Sequence, residues 1–160
     1  MLILGIDPGL DKVGVAYIEA AGQMSHLWSG LIKTDKSDHT VRRLQVLRDD
    51  LNEVLSLYTP DLVVVETLPP RWSEGALPTI LNVAHARGVI MLTLADAGLE
   101  FVDIYSAQWK SHLGVDTKAK KKEIRQAVND LFDLHGIARE DDENDAIGIA
   151  YGGYYQMGGM

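Results

Sequence analysis

Four acidic residues have the chemical type and the positions suited to binding a divalent cation. Asp7 ends the apolar segment LILGID, and Glu66 ends the segment LVVVE. Asp142 and Asp145 lie three residues apart near the end of the chain, within DDENDAIGIA. Hard cations prefer carboxylate oxygens, and four such groups in a small volume would repel one another without a cation. The pattern therefore favours a metal site built from these four acids.

The chemistry expected of such a site is hydrolysis of a phosphodiester. Mg²⁺ keeps several waters and commonly shares its shell with substrate phosphates. A cage of four carboxylates has room for two Mg²⁺ or Mn²⁺ ions about 4 Å apart, one activating a water and the other stabilising the leaving oxygen.

Each acid also has a structural interpretation when it is taken alone. Asp7 could cap the turn that Pro8 and Gly9 predict. Asp142 and Asp145 could begin a helix, whose dipole favours acids in its first turn. Glu66 favours function, because a charge that closes a run of valines needs a partner at its buried end.

The strands that would carry these residues are visible as short apolar segments. They are predicted at residues 2–7, 13–18, 26–32, 62–65 and 101–104. The first three, joined by tight turns, predict an antiparallel meander, and the all-apolar fourth is typical of a parallel strand covered on both faces. If the strands ending at Asp7 and Glu66 are parallel neighbours, both side chains emerge at the carboxyl edge of the sheet, where ligand sites are favoured.

Helices are predicted at about residues 40–58, 77–97, 106–112 and 117–132, with a last one starting near Asp142. The first is expected to be capped by Asp38 or Thr40 and stopped by Pro60. Asp142 and Asp145, three residues apart, would share one face of that helix. The glycine-rich tail, about residues 152–160, is expected to fray.

Composition sets the broad class of protein. The 160 residues suit one domain, 1–160, and the absence of cysteine excludes thiolate zinc sites and favours a reducing, cytoplasmic setting. The net charge of −8 argues mildly against a nucleic-acid partner, but residues 110–125 carry six basic and two acidic side chains, a local net of +4. No apolar run reaches the roughly 18 residues that a membrane span needs, so no membrane partner is expected.

The ordered motifs of the chain resemble those of the RuvC-type Holliday-junction resolvases of the RNase H-like superfamily, over nearly the whole length. The segments are GIDPGLDKVGVAYIE, the strand ending at Glu66, LNVAHARGVIM, YSAQWKSHLGV with the lysines after it, and DENDAIGIA. An isolated G-I-D-x-G also occurs in sugar kinases and other actin-like ATPases, but the ordered set is specific. The resemblance implies an α/β fold with a mixed five-stranded sheet, three antiparallel strands then two parallel, flanked by helices.

The resemblance also implies roles for individual residues. Asp7, Glu66, Asp142 and Asp145 match the metal-binding acids, and Lys121 is the candidate catalytic lysine within the 118–122 cluster. The residues expected to contact DNA are Trp72, Arg71, Lys110, Lys118, Lys120, Lys122 and Arg125. The family places an aromatic wedge shortly after the glutamate. Here two prolines intervene and Trp72 lies later, which indicates a divergent, phage-type member with Trp72 as the wedge.

Family members are homodimers that nick four-way DNA at symmetric positions, and a two-fold dimer suits a two-fold junction. The helix at 77–97 is the expected dimer interface, with packing against the sheet as the alternative for some of its apolar positions. Three other functions stay open: a relaxed branched-DNA nuclease, an RNA:DNA-hybrid nuclease, and a junction-binding module that does not cleave. An actin-like ATPase would need a second phosphate loop and a longer chain.

Overall fold

The fold is seen in a computed structural model that describes residues 1–68, 73 and 75–159. The strands are β1 (Leu2–Asp7), β2 (Lys12–Ala21), β3 (Gln23–Lys33), β4 (Leu62–Glu66) and β5 (Val102–Ile104). The helices are α1 (Thr40–Leu57), α2 (Leu77–Asp96), α3 (Ser106–His112), α4 (Lys121–Phe132) and α5 (Asp141–Gln156).

The strands form one sheet in the order β3-β2-β1-β4-β5. The first three strands along the chain pair antiparallel, and β4 and β5 are parallel to β1 and to each other. The predicted arrangement of three antiparallel strands followed by two parallel strands is therefore confirmed. β1 lies at the centre of the sheet, between β2 and β4.

Side chains alternate between the two faces of the sheet along each strand, and the face determines which helices a side chain packs against. Leu4 and Ile6 of β1 pack in the core that includes α1 and α2, while Ile3 packs in the core on the other face, with α3, α4 and α5. Because strand side chains alternate with a period of two, Asp7 lies on the face of Ile3. Val64 belongs to that same face, so Glu66 also points toward α5.

Helix α5 lies unusually close to the sheet because small residues face it. A Cβ built at Gly5 of β1 would overlap the carbonyl oxygen of Ala146, and one built at Gly14 of β2 would overlap the carbonyl oxygen of Asp142. Gly14 is the direct cross-strand partner of Asp7. The two glycines thus let the N-terminal half of α5 rest on the sheet beside Asp7.

Two predicted boundaries are wrong. The tail does not fray at Gly152, because α5 continues to Gln156 and Gly152 and Gly153 are buried against Trp109 and Val64. Helix α4 begins at Lys121 rather than at residue 117, after a turn in which Asp116 accepts a hydrogen bond from the Lys118 amide.

The prediction that Asp38 or Thr40 caps α1 is also wrong. His39 occupies the cap position and makes no side-chain capping hydrogen bond. The chain reaches α1 through a turn held by Asp35, whose carboxylate accepts hydrogen bonds from the amide and hydroxyl of Ser37.

Among the described residues, one helix, α2, is long and apolar enough to cross a membrane. Core helices of soluble proteins meet the same criteria of length and composition. In the fold, α2 packs against α1, and Ile90 and Leu94 of α2 are buried in the core that the two helices share with the sheet. Its buried Arg87 donates a 2.5 Å hydrogen bond to Asp103 of β5, which ties the helix to the edge strand.

Candidate active site

Three of the four predicted acids converge at the carboxyl edge of the sheet. Asp7, Asp142 and Asp145 each offer a carboxylate oxygen, and these oxygens lie within 4.8 Å of one another. β1 supplies the first, and one face of α5 supplies the other two. Glu66 follows Val65, which pairs with Ile6, so it stands beside Asp7 on the neighbouring strand. It lies outside the close trio, but the charges of Glu66 and Asp7 influence each other.

Burial and mutual repulsion disfavour ionisation of these carboxyls. Burial, followed by the charges of Glu66, Asp145 and Asp142, raises the pKa of Asp7 well above its ordinary value. Burial and the charge of Asp145 raise the pKa of Glu66 to about 7. The pKa of Asp145 is also raised, chiefly by burial. When these carboxyls are ionised, the site therefore carries more negative charge than the described basic side chains neutralise.

The donor set fits a divalent cation. Asp145 Oδ1 is buried and has no hydrogen-bond partner among the described residues, although a buried carboxylate oxygen normally has one. Together with the close carboxylate oxygens of Asp7 and Asp142, this oxygen forms the all-oxygen surroundings that hard cations prefer. The acid cluster is thus compatible with metal binding.

Two lysines reach the acids. Lys121, the first residue of α4, donates a hydrogen bond to Asp145 Oδ2 and lies 4.0 Å from Asp142 Oδ1. Burial lowers the pKa of Lys121, but the hydrogen bond and charge of Asp145 outweigh it and raise that pKa. Lys110 of α3 lies with its ammonium 5.3 Å from the Trp109 ring centre, and its charge lowers the pKa values of Glu66 and Asp145.

Helix α3 supplies two site residues that the sequence did not single out. The Ser106 hydroxyl and the Trp109 indole both lower the pKa of Glu66, opposing the effect of burial. Trp109 is buried, and its indole nitrogen makes no hydrogen bond of standard geometry with the described residues. Their position directly after β5, a parallel strand whose carboxyl end lies at the same edge, is a signal that could have identified them.

The remaining predicted DNA-contacting residues lie around this centre or outside the described part of the chain. The side chains of Lys118, Lys120 and Lys122 are exposed, and Arg125 pairs with Asp141 at 2.8 Å. Arg71 and Trp72 lie outside the described residues, so their predicted roles stay predictions.

A cleft of about 610 Å³ opens from the acids along the β1–β2 turn. Its lining comprises Asp7, Pro8, Gly9, Leu10, Asp11, Lys12, Lys33, Thr34, Lys36, Thr79, Asn82, Val83 and Asp142. Its three lysines, Lys12, Lys33 and Lys36, have no role predicted from the sequence. We refer to it as the lysine cleft.

Comparison with known proteins gives a consistent result. The family model described as crossover junction endodeoxyribonuclease RuvC matches residues 3–152. A protein of that name from Thermosipho melanesiensis is 33% identical over 152 residues, covering 94% of this chain and 95% of its own. Another from Heliobacterium modesticaldum is 36% identical over 151 residues, covering 94% and 91%.

Solved structures share the fold. A Thermus thermophilus RuvC structure superposes with a TM-score of 0.81 at 26% identity, covering 99% of this chain and 97% of that one. The T. thermophilus RuvC structure in complex with a Holliday junction substrate gives a TM-score of 0.83 at 23% identity, covering 99% and 98%.

The sheet order and the acid cluster at its carboxyl edge define an RNase H-like fold with a metal-compatible acidic site. The family model and the relatives, which cover nearly the whole chain, make the assignment specific. The chain belongs to the RuvC family of crossover junction endodeoxyribonucleases.

Proposed function

We propose that this protein is a metal-dependent, structure-selective endonuclease that resolves four-way DNA junctions by paired symmetric nicks. The observation that carries the proposal is the convergence of Asp7, Asp142 and Asp145 beside Lys121, in a chain of the RuvC family. The substrate follows from the relatives, which are named crossover junction endodeoxyribonucleases, and from a relative solved with a Holliday junction.

The proposed ligands of two Mg²⁺ or Mn²⁺ ions are Asp7, Glu66, Asp142 and Asp145. When bound, such ions supply an activated water and stabilise the leaving oxygen. The unpartnered Asp145 Oδ1 and the raised pKa of Asp7 support this ligand set, because the first is a buried carboxylate oxygen without a donor and the second is a carboxyl surrounded by other acids.

The side chains of the protein hold and balance the site. Ser106 and Trp109 favour the ionised form of Glu66, which is the form that binds a cation. Lys121 neutralises Asp145 in the free protein. In the DNA complex its ammonium would offset the charge that develops on the scissile phosphate.

DNA contacts outside the acids are assigned to basic residues near α3 and α4. They are Lys110, Lys118, Lys120, Lys122 and Arg125, with Arg71 and the wedge Trp72 from the segment after β4. The exposure of Lys118, Lys120 and Lys122 supports contact with a phosphate backbone.

The protein is proposed to act as a homodimer through α2. Leu77, Leu81 and Leu92 are 54%, 48% and 61% exposed, although an apolar stripe of this kind is normally covered. These positions recur at helical spacing on one side of α2, and a second copy would bury them in a symmetric contact. We further propose that residues 1–160 act as a single domain in the cytoplasm, without a membrane partner.

The Asp7→Asn variant tests the proposal. We expect it to bind four-way junctions and to lose nicking with Mg²⁺ or Mn²⁺, because the substitution removes one carboxylate charge from the trio. Labelled four-way, three-way, flap and RNA:DNA-hybrid substrates, cut in parallel and mapped, measure the activity and its selectivity.

The same panel separates the alternatives. Equal cutting of all branched substrates would indicate a relaxed nuclease, and preferred cutting of the hybrid would indicate a hybrid nuclease. Binding without any cutting by the unmodified protein would indicate a junction-binding module. Nicking that survives in Asp7→Asn would refute the assigned metal site.

A further inference from the structure

The lysine cleft contains a pair of lysines that are placed for an anion. Lys12 of β2 and Lys33 of β3 are direct cross-strand partners in the antiparallel register. Like charges directly opposite each other on neighbouring strands are unfavourable, so this pair favours an anion between them. Both residues line the cleft that begins at Asp7 and Asp142.

In the free protein that anion is the Glu140 carboxylate. Lys33 Nζ donates to Glu140 Oε1 at 2.6 Å, and Lys12 Nζ donates to Glu140 Oε2. One carboxylate therefore bridges two ammonium groups with its two oxygens. Two non-bridging oxygens of a phosphate can make the same pair of charge-assisted hydrogen bonds.

The bridge is built so that it can open. The side chains of Lys12, Lys33 and Glu140 are 44%, 56% and 42% exposed, so a phosphate can reach them from solvent. Exposed ion pairs contribute little to stability, and opening this one costs the fold little. The backbone amide of Glu140 donates to Glu143 at 2.8 Å, a contact at the start of α5 that does not involve the Lys12 and Lys33 ion pairs.

The position of the bridge links it to the acids. Glu140 immediately precedes α5, two residues before Asp142, and the cleft runs from Asp142 to Lys33 without leaving the carboxyl edge of the sheet. A DNA strand whose scissile phosphate lies at the acids would pass its neighbouring phosphates along this cleft.

We propose that Lys12 and Lys33 form a phosphate-binding site for the DNA strand that enters the acid cluster, and that Glu140 occupies this site in the free protein and leaves it when DNA binds. The inference rests on the proposed function for the identity of the ligand. It adds a second basic surface, on β2 and β3, to the one assigned to α3 and α4.

The experiment measures DNA binding rather than nicking. Fluorescence anisotropy with a labelled four-way junction and a labelled linear duplex, in Ca²⁺ over a series of salt concentrations, gives the dissociation constant and its salt slope. A denaturing gel of each sample verifies that the substrate stays intact.

Glu140→Gln is expected to bind both DNAs about threefold to tenfold more tightly, because the two lysines lose their internal counter-ion. Lys33→Gln is expected to bind more weakly and to reduce the log–log salt slope by about 1, the loss of one phosphate contact. In a Lys12→Gln/Lys33→Gln background, the gain from Glu140→Gln should disappear.

Variants with the same change in charge at distant sites control for the effect of net charge on DNA binding. Glu100→Gln removes an exposed glutamate near the start of β5, at the opposite end of that strand from the acids, and Arg48→Gln removes an exposed cation of α1. Thermal melting of every variant tests folding. Because Glu100→Gln makes the same net charge change as Glu140→Gln, an equal gain from both would overturn the proposal.

Two other results would overturn it: an unchanged or weaker affinity of Glu140→Gln, or an unchanged salt slope of both Lys33→Gln and Lys12→Gln. A failure of the proposed function would be seen differently, as a loss of preference for the four-way junction over duplex or an absence of nicking by the unmodified protein. Neither of those results depends on the Lys12–Lys33 pair.

Discussion

Glu66 shows how the site depends on the balance of a few charges. It closes a strand of buried valines, and its surroundings both oppose its charge, through burial and Asp145, and favour it, through Lys110, Trp109 and Ser106. The outcome is a pKa of about 7, close to the pH at which the protein would work. Protons and the proposed metal ions would therefore compete for the same oxygens.

The raised pKa values of the acids predict an unusual dependence of stability on pH. Asp7, Glu66 and Asp145 have pKa values raised in the folded protein, whereas the unfolded chain ionises them near pH 4. Between these values the folded protein binds more protons than the unfolded chain, so the free energy of unfolding falls as pH rises. We expect the melting temperature in EDTA to decline from about pH 5 to about pH 8.

Saturating Mg²⁺ should remove this decline, because the ion stabilises the ionised carboxylates of the folded protein. Glu66→Gln should flatten the curve in EDTA, while Glu100→Gln should follow the unmodified protein. Thermal melts over the pH range, with and without metal, measure both effects. A Glu66→Gln curve in EDTA that matches the curve of the unmodified protein would contradict the assigned pKa shift of Glu66.

At the scale of elements, the distance between α5 and the sheet sets the geometry of the acids. Two of the three close carboxylates lie on α5 and one on β1, so any increase in their separation would open the cluster. Gly14 is the closest point, where hydrogen in place of a Cβ leaves room for the Asp142 carbonyl.

Gly14→Ala should therefore move the start of α5 away from Asp7. We expect a loss of about 1–3 kcal/mol in the free energy of unfolding, as for other overpacked sites. We also expect a larger loss of nicking than this destabilisation explains. Val54→Ala in α1 is the control for destabilisation alone, because Val54 is buried in the core on the face of the sheet opposite α5. Urea unfolding and single-turnover nicking give the two quantities, and unchanged nicking would show that the contact does not position Asp142.

Periodicity predicted these elements well where a helix or strand has its own apolar pattern. The sheet, the meeting of Asp7 with Glu66 at its edge and the shared face of Asp142 and Asp145 follow from that reading. The extension of α5 to Gln156 does not, because Gly152 and Gly153 have low helix propensity and are fixed only by tertiary contacts with Trp109 and Val64. The effects of Ser106 and Trp109 on the pKa of Glu66 similarly depend on contacts between distant segments.

At the scale of the whole molecule, the two helical layers have different tasks. The α3, α4 and α5 layer carries Lys110, Lys121 and two of the acids, whereas the α1 and α2 layer carries the exposed apolar stripe. The proposed dimer contact is thus largely separate from the proposed chemistry, and a change to it should affect assembly first.

Leu81→Glu is expected to convert the proposed dimer to monomers of 17.6 kDa, because it places a charge within an apolar contact. Junction binding should weaken, and the two nicks should lose their coordination while single nicks persist. Leu57→Glu is the matched control, since Leu57 is similarly exposed, at 49%, but lies at the end of α1. Light scattering across protein concentrations measures the mass. An unmodified protein that stays monomeric would contradict the dimer.

The central position of β1 has a consequence for the order in which the structure opens. Its backbone is hydrogen-bonded to strands on both sides, and Ile3, Leu4 and Ile6 are completely buried, so its central amides should exchange with deuterium only through global unfolding. The first turn of α4, which carries Lys121, is exposed and should exchange sooner. Mild heating would then release the proposed catalytic lysine while Asp7 keeps its place, so the proposed activity should fail before the core unfolds.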